Sequence, residues 1–189
     1  GICSWPPEDE GKAKSARFGK VSTLSPISKN LENDVLSLIC TGASETDVID
    51  HVRPISLKVQ RGEVSISDVT GTTRIQKDIS SYNVSIGTPG VKGARYYNAH
   101  MASGKADQYN KGDSVNWVYV CRSPEGLPAI DIVAYKDETD LKEFELDYDV
   151  MVEKLVTNKV KSIFNALGWN LEFASGAARP KRYWGNEID

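Results

Sequence analysis

The 189-residue chain reads as an α+β domain, mostly helical, with a helical hairpin, a small antiparallel sheet and a long C-terminal helix. Three observations predict this. Two apolar stripes at helical spacing follow one another between residues 25 and 60. Two short β-branched and aromatic segments lie between 114 and 135. A long amphipathic stretch then leads from Asp147 to Gly168.

Each element has a local reason. Residues 1–23 mix Pro, Gly, Ser and alternating charge with little periodicity and read as a linker or the ragged edge of a neighbouring domain. Ser25 is a good N-cap, Pro26 suits the first helical position, and Ile27, Leu31, Val35, Leu38 and Ile39 share one face before Gly42. Ser44-Glu45-Thr46-Asp47 starts a second helix with Val48, Ile49, Val52, Ile55 and Val59 apolar. Pro54 is expected to kink or shorten it before Gly62 stops it. Val64–Ser67 reads as a short strand or extended segment. Residues 68–90, rich in Thr, Ser and Gly, read as mostly loop with a helical turn near Ile75–Ile79. A helix follows over about 91–102. SVNWVYVC (Ser114–Cys121) alternates as a strand does, and AIDIVAY (Ala129–Tyr135) makes a second strand after a Ser-Pro-Glu-Gly turn. The last helix starts at Asp147 or Asp149 and is capped by Gly168. Its apolar side holds Met151, Val152, Leu155, Val156, Val160, Ile163, Phe164 and Leu167. The domain is thus placed at 24–169, with 170–189 as a tail containing Lys181-Arg182-Tyr183-Trp184.

A composition of 40% hydrophobic and 26% charged residues is that of a globular chain able to bury a core without disulfides. Cys3, Cys40 and Cys121 are odd in number and far apart, so they read as reduced thiols and neither a disulfide framework nor a zinc site. No apolar run approaches the roughly 18 residues of a membrane span, and no signal-like run opens the chain, so a cytoplasmic location is expected. The chain starts on Gly1 without Met, as a processed or partial chain does. The net charge of −3 is unevenly placed. Residues 72–123 carry seven Lys/Arg against three Asp/Glu, whereas residues 124–153 carry two against ten. This predicts a sided field whose basic part attracts polyanions.

Motifs for self-contained chemistry are missing: there is no GxxxxGK[ST], GxGxxG, HExxH or CxxC. His51 and His100 fall on separate helices without evident acidic or cysteine partners. Asp147 and Asp149 are better read as acids complementing a helix dipole than as a metal pair. One stretch stands out, TPGVKGARYYN (Thr88–Asn98), in which a turn, two basic residues, a glycine and two tyrosines crowd the mouth of a helix.

Taken in order, the hairpin, the Thr/Arg-bearing loop, TP-x-x-[KR]-G-A-x-x-YN, the KGDSVNWVYV strand and LDYDVMVEKLVTNKVKSIFNALGW form a series. It resembles the C-terminal thumb of family B DNA polymerases, the replicative type of archaea and T4-like phages, over about residues 24–169. The family places a histidine before the basic-Gly pair, where this chain has Gly90-Val91. The palm's paired metal-binding aspartates, the fingers and the 3′–5′ exonuclease acids have no counterpart here. The resemblance therefore implies the thumb part of a DNA-directed DNA polymerase, a nucleotidyltransferase, with no catalytic residues of its own. It would be the small subunit of a split enzyme or an excised fragment. Mg2+ is then expected in the palm of a large catalytic partner chain. Primer–template duplex is expected as ligand, residues 1–23 as a candidate palm edge, and the tail as a candidate contact for a sliding clamp.

The implied role favours many modest, sequence-independent contacts to phosphate. Lys92, Arg95 and Lys105 would supply charge, with Arg74 and Lys77 from the preceding loop. Thr72, Thr73 and Asn98 would donate single hydrogen bonds, and Gly93 would let a backbone N–H approach closely. Amides near Val91 would add a helix N-terminal phosphate pocket. Tyr97 is expected in the core and Tyr96 to turn its hydroxyl toward sugar or phosphate. Two other functions stay open: a stand-alone DNA-binding module derived from a thumb, and an interaction protein that binds no DNA.

Overall fold

The computed structural model describes residues 25–82 and 88–169. The linker and the basic-aromatic tail read from the sequence lie outside the described residues. The architecture is α+β.

Helices α1 (Pro26–Cys40) and α2 (Glu45–Gln60) form the expected pair. Ser44 and Asp47 close a capping box on α2. The Ser44 hydroxyl accepts from the Asp47 amide at 3.2 Å, and the Asp47 carboxylate accepts from the Ser44 amide at 2.8 Å. Pro54 does not end α2, which continues to Gln60. The proline sits on the exposed face, where a missing amide is tolerated, while Val48, Ile49, Val52, Ser56 and Val59 are buried on the other. Each of those buried aliphatic side chains contributes about 1.5–3 kcal/mol, enough to hold the helix through the proline.

The next two elements differ from the sequence reading. In place of a strand at 64–67 there is a one-turn helix, α3 (Ile66–Val69), because the Ser65 hydroxyl accepts from the Asp68 amide at 3.2 Å. Strand β1 (Gly71–Arg74) then forms inside the stretch read as loop, and the expected helical turn is a 3-10 turn at Ile79–Ser81. GTTR has little apolar alternation of its own. Pairing with a neighbour makes it a strand.

That neighbour is β2 (Ser114–Arg122), the centre of the sheet. It pairs antiparallel with β1, Thr73 opposite Val115, and with β3 (Ile132–Tyr135), Val118 opposite Val133. The two-residue β4 (Glu145–Leu146) pairs with the far end of β2 across an irregularity at Cys121. On one face of the sheet, Val118, Val120 and Val133 pack into the core shared with α1, α2 and the C-terminal helix.

The other face is covered by α4 (Pro89–His100), whose buried residues include Gly90, Gly93, Ala94 and Tyr97. The approach is unusually close. A Cβ on Gly93 would stand 2.7 Å from the Ala134 backbone nitrogen, and one on Gly90 would stand 2.5 Å from Thr73 Cβ. Glycine is needed here for its missing side chain, at negative φ.

The C-terminal helix runs as α5 (Tyr148–Met151), a π-helical segment (Val152–Thr157) and α6 (Asn158–Leu167). Asp147 caps its start by accepting from the Val150 amide at 2.9 Å, and Gly168 ends it with φ 70°. Ser25 does not cap α1 in the expected way. Its hydroxyl donates to Ser28 Oγ, and Ser28 donates to the Leu155 carbonyl at 2.8 Å, inside the π turn. A widened turn loosens its own hydrogen-bond ladder, and the buried serine gives that carbonyl a partner.

Gly93→Val should therefore lower stability by about 1–3 kcal/mol through overpacking against β3. Gly104→Ala, where a new Cβ meets nothing within 4 Å, should change it by no more than about 0.5 kcal/mol. Urea unfolding of the two variants checks the contrast.

Candidate nucleic-acid interface

The fold divides the residues expected to meet phosphate into two groups. Thr72 and Arg74 lie side by side along the outward face of β1, with Lys77 in the turn that follows. Lys92, Gly93, Arg95, Tyr96 and Asn98 lie on α4, and Lys105 opens a 3-10 turn (Lys105–Asp107) beyond it. Thr73 points to the opposite side of β1, buried, where it accepts from the Trp117 indole N–H at 3.0 Å.

The α4 group is engaged within the fold. Lys92 is exposed and pairs with Asp131 at 2.5 Å. Arg95 donates to the Ile79 carbonyl at 2.8 Å and to the Tyr82 carbonyl, and so holds the turn after β1 against the helix. Gly93 faces β3 rather than the surface, because its missing side chain is what lets the helix rest on the sheet. Asn98 donates to the Tyr109 carbonyl at 2.8 Å and accepts from the Tyr109 amide at 2.7 Å. Both tyrosines are buried, contrary to the expected division. Tyr96 donates to the Pro128 carbonyl at 2.8 Å and Tyr97 to Asp107 at 3.2 Å. The Val91 and Lys92 amides donate to the Thr88 carbonyl at 2.9 and 3.1 Å.

Part of the uneven charge is paired across the surface. Lys92–Asp131 and Arg122–Glu145 join the basic stretch to the acidic one, and Lys136 crosses the other way to Asp107. Several remaining acids cap their own turns: Asp137 accepts from the Thr139 amide, Asp140 from the amides of Lys136 and Asp137. Most of the excess charge of each stretch is left outside these pairs. His51, read as lacking an acidic neighbour, lies 3.5 Å from Asp34 across the helix pair.

An open polar surface remains on the sheet. On the face opposite α4, β2 presents Ser114 and Asn116 before Val118 and Val120, so the helical cover ends partway along the strand. A concavity of about 540 Å³ lies there, lined by Gln108, Asn110, Asp113, Ser114, Asn116 and Lys136 among others. Thr72 joins it across the strand pair by donating to the Asn116 side-chain oxygen at 3.2 Å, and Arg74 lies opposite Ser114. Arg74, Lys105 and Lys111 are exposed beside this surface and form no ion pair among the described residues. Sequence reasoning found Thr72, Arg74 and Lys105 but missed Ser114, Asn116, Asn110 and Gln108. The signal was the change from polar to apolar along one face of SVNWVYVC.

One wall of this concavity is braced by Lys136. Its ammonium bonds Asp107 at 2.9 Å and lies 5.5 and 5.1 Å from the ring centres of Tyr97 and Tyr109. The Lys136 hydrogen bond, then that of the Ser103 amide, holds the Asp107 carboxyl down to about 2. Burial, reinforced by Asp140 and Asp107, pushes the Tyr97 hydroxyl up to about 12, and burial raises Tyr109 as well. Among the described residues no group of three or more His, Cys, Asp or Glu is placed to hold a metal ion, and no helix is long and apolar enough to cross a membrane. The surface offers hydrogen-bonding groups in a row, suited to holding a polar chain.

No protein-family model matches the chain, and no curated protein matches it. Among solved structures it is similar to the family B DNA polymerase from the hyperthermophilic archaeon Pyrobaculum calidifontis, with a TM-score of 0.57 at 20% sequence identity. The match covers 78% of this chain and 18% of that polymerase chain. At this identity the likeness is one of fold.

The raised tyrosines fix the direction of an alkaline transition. An acid whose folded pKa lies above its unfolded one keeps its full contribution below the ordinary value of 10.0 and loses it as pH rises toward about 12. Stability measured by urea unfolding should fall over that window. It should fall less steeply in Tyr97→Phe, which has no hydroxyl to ionise.

Proposed function

We propose that this chain is the thumb part of a family B DNA polymerase, which grips primer–template duplex for a catalytic palm on another polypeptide. The observation that carries this reading is the fold likeness to such a polymerase over 78% of the chain. The order of motifs along the sequence supports it independently. In this reading the chain is a DNA-binding component of a nucleotidyltransferase, Mg2+ belongs to the palm of the partner, and this chain performs no bond-making step.

The grip is assigned to the open half of the sheet more than to α4. Arg74, Lys105 and Lys111 supply charge, while Thr72, Asn116 and Asn110 offer neutral hydrogen bonds to phosphate and sugar. Such a surface holds the backbone without reading bases, as a duplex advancing one step per nucleotide demands. Arg95 acts at one remove, holding the turn that follows β1.

Three exposed cations predict a modest salt dependence, a log–log slope of roughly −3 for duplex binding. Arg74→Ala should weaken binding equally on all duplex sequences and reduce that slope by about one. Arg95→Ala should weaken binding without the same loss of slope, because its guanidinium faces carbonyls. Fluorescence anisotropy across a salt series separates the two, and addition of a palm-bearing chain should raise processivity. Affinity that does not respond to salt, or a partner whose DNA retention is unchanged by this chain, defeats the reading.

A further inference from the structure

A second concavity lies along the groove between α1 and α2 and differs in character from the one on the sheet. It measures about 340 Å³, and its apolar part is formed by Ile27, Leu31, Ile55 and Val64. Leu31 is buried, whereas Ile27, Ile55 and Val64 are only half-covered, so apolar surface stays open to a neighbour. Beside them stand Asp34, Glu63 and Asp68 against a single base, Lys58. All three carboxylates are exposed. Glu63 and Asp68 form no ion pair among the described residues, and Asp34 is paired with His51 at 3.5 Å.

The spacing along both helices defines what fits. Ile27, Leu31 and Asp34 stand at i, i+4 and i+7 along α1, and His51, Ile55 and Lys58 repeat that spacing along α2. Over that interval a helix advances about 10 Å, or two turns. The backbone groups of both helices are used within their own ladders, so an occupant finds no edge to pair with and must satisfy its own backbone. A helix does that, and its side-chain ridges fit the groove between two others. Its inward residues, at i, i+3 or i+4 and i+7, must be aliphatic or aromatic to cover the half-open Ile27, Ile55 and Val64. Charge selects the flanks. Three acids against one base repel phosphate, which disfavours nucleic acid here, and attract Lys or Arg on either side of the apolar stripe.

We infer that this groove docks a basic amphipathic helix of another polypeptide, its apolar residues on Ile27, Leu31, Ile55 and Val64 and its Lys or Arg side chains facing Asp34, Glu63 and Asp68. The contact is separate from the grip assigned to the sheet and stands whether or not that grip holds DNA. A groove two turns long takes few anchoring side chains, so the complex is a modest one in which the bases fix the register.

The test presents the whole chain to a phage-displayed library of random peptides. The expected result is enrichment of peptides with apolar residues at i, i+3 or i+4 and i+7 flanked by Lys or Arg. Those peptides should slow amide exchange across 27–34 and 55–65. They should also crosslink to a photo-reactive amino acid placed at Asn30, which lines the groove. Glu63→Lys with Asp68→Lys should weaken the basic peptides several-fold and select acidic ones instead, a reversal that an unfolded variant could not produce. No enrichment, peptides without bases, unchanged affinity in the charge-reversed variant, or protection confined to other surfaces overturns the assignment. Crosslinks from position 30 to residues 1–24 of the same chain, or to a second copy, overturn it as well, because either would fill the groove without a partner.

Discussion

Helix α4 rests on the sheet at backbone distance, and much of the molecule is arranged around that approach. Gly90 and Gly93 leave room for Thr73 and Ala134, and the Trp117 ring fills the corner while its N–H donates to the Thr73 hydroxyl. With the helix so low, Ala94 and Tyr97 reach the second small core beside Ile75, Tyr109 and Val115. Polar groups along α4 are then in position to tie down neighbouring chain. Arg95 holds the turn after β1, and Asn98 holds the backbone of Tyr109 on the way into β2. One close contact thereby orders the segments before and after the helix.

That placement has a consequence for charge. Of the two cations in TPGVKGARYYN, Lys92 stays exposed beside Asp131, whereas Arg95 is drawn to two carbonyls of the turn after β1. The surface left without a cover is the polar half of β2 and its neighbour β1. Its character is set by neutral amides and hydroxyls, one carboxylate, Asp113, and a few flanking cations.

Much of the scaffold was legible without coordinates. The helix start at Ser44, the β2 strand, the cap at Asp147 and the stop at Gly168 are local devices, each fixed by a few neighbouring residues, and each stands where such residues require. The passage of α2 through Pro54 and the strand at Gly71–Arg74 were not legible. The first depends on which face of the helix is buried, the second on a partner more than forty residues away. The π turn at Val152–Thr157 belongs with them, since it is matched by a serine hydroxyl from α1.

The candidate site divides along the same line. Residue types alone determined that this chain carries phosphate-compatible groups between Thr72 and Lys105 and lacks motifs for independent chemistry. They also determined the order of elements that resembles a polymerase thumb. Only the tertiary structure decided which of those groups face outward. The spacing of Gly90, Gly93, Ala94 and Tyr97 carries both a plausible ligand approach and a packing stripe, and nothing local separates the two. The separation comes from Ala134 and Trp117, which occupy the space a phosphate would need. Side-chain direction is a property of the assembled layers, and chain order does not encode it one residue at a time.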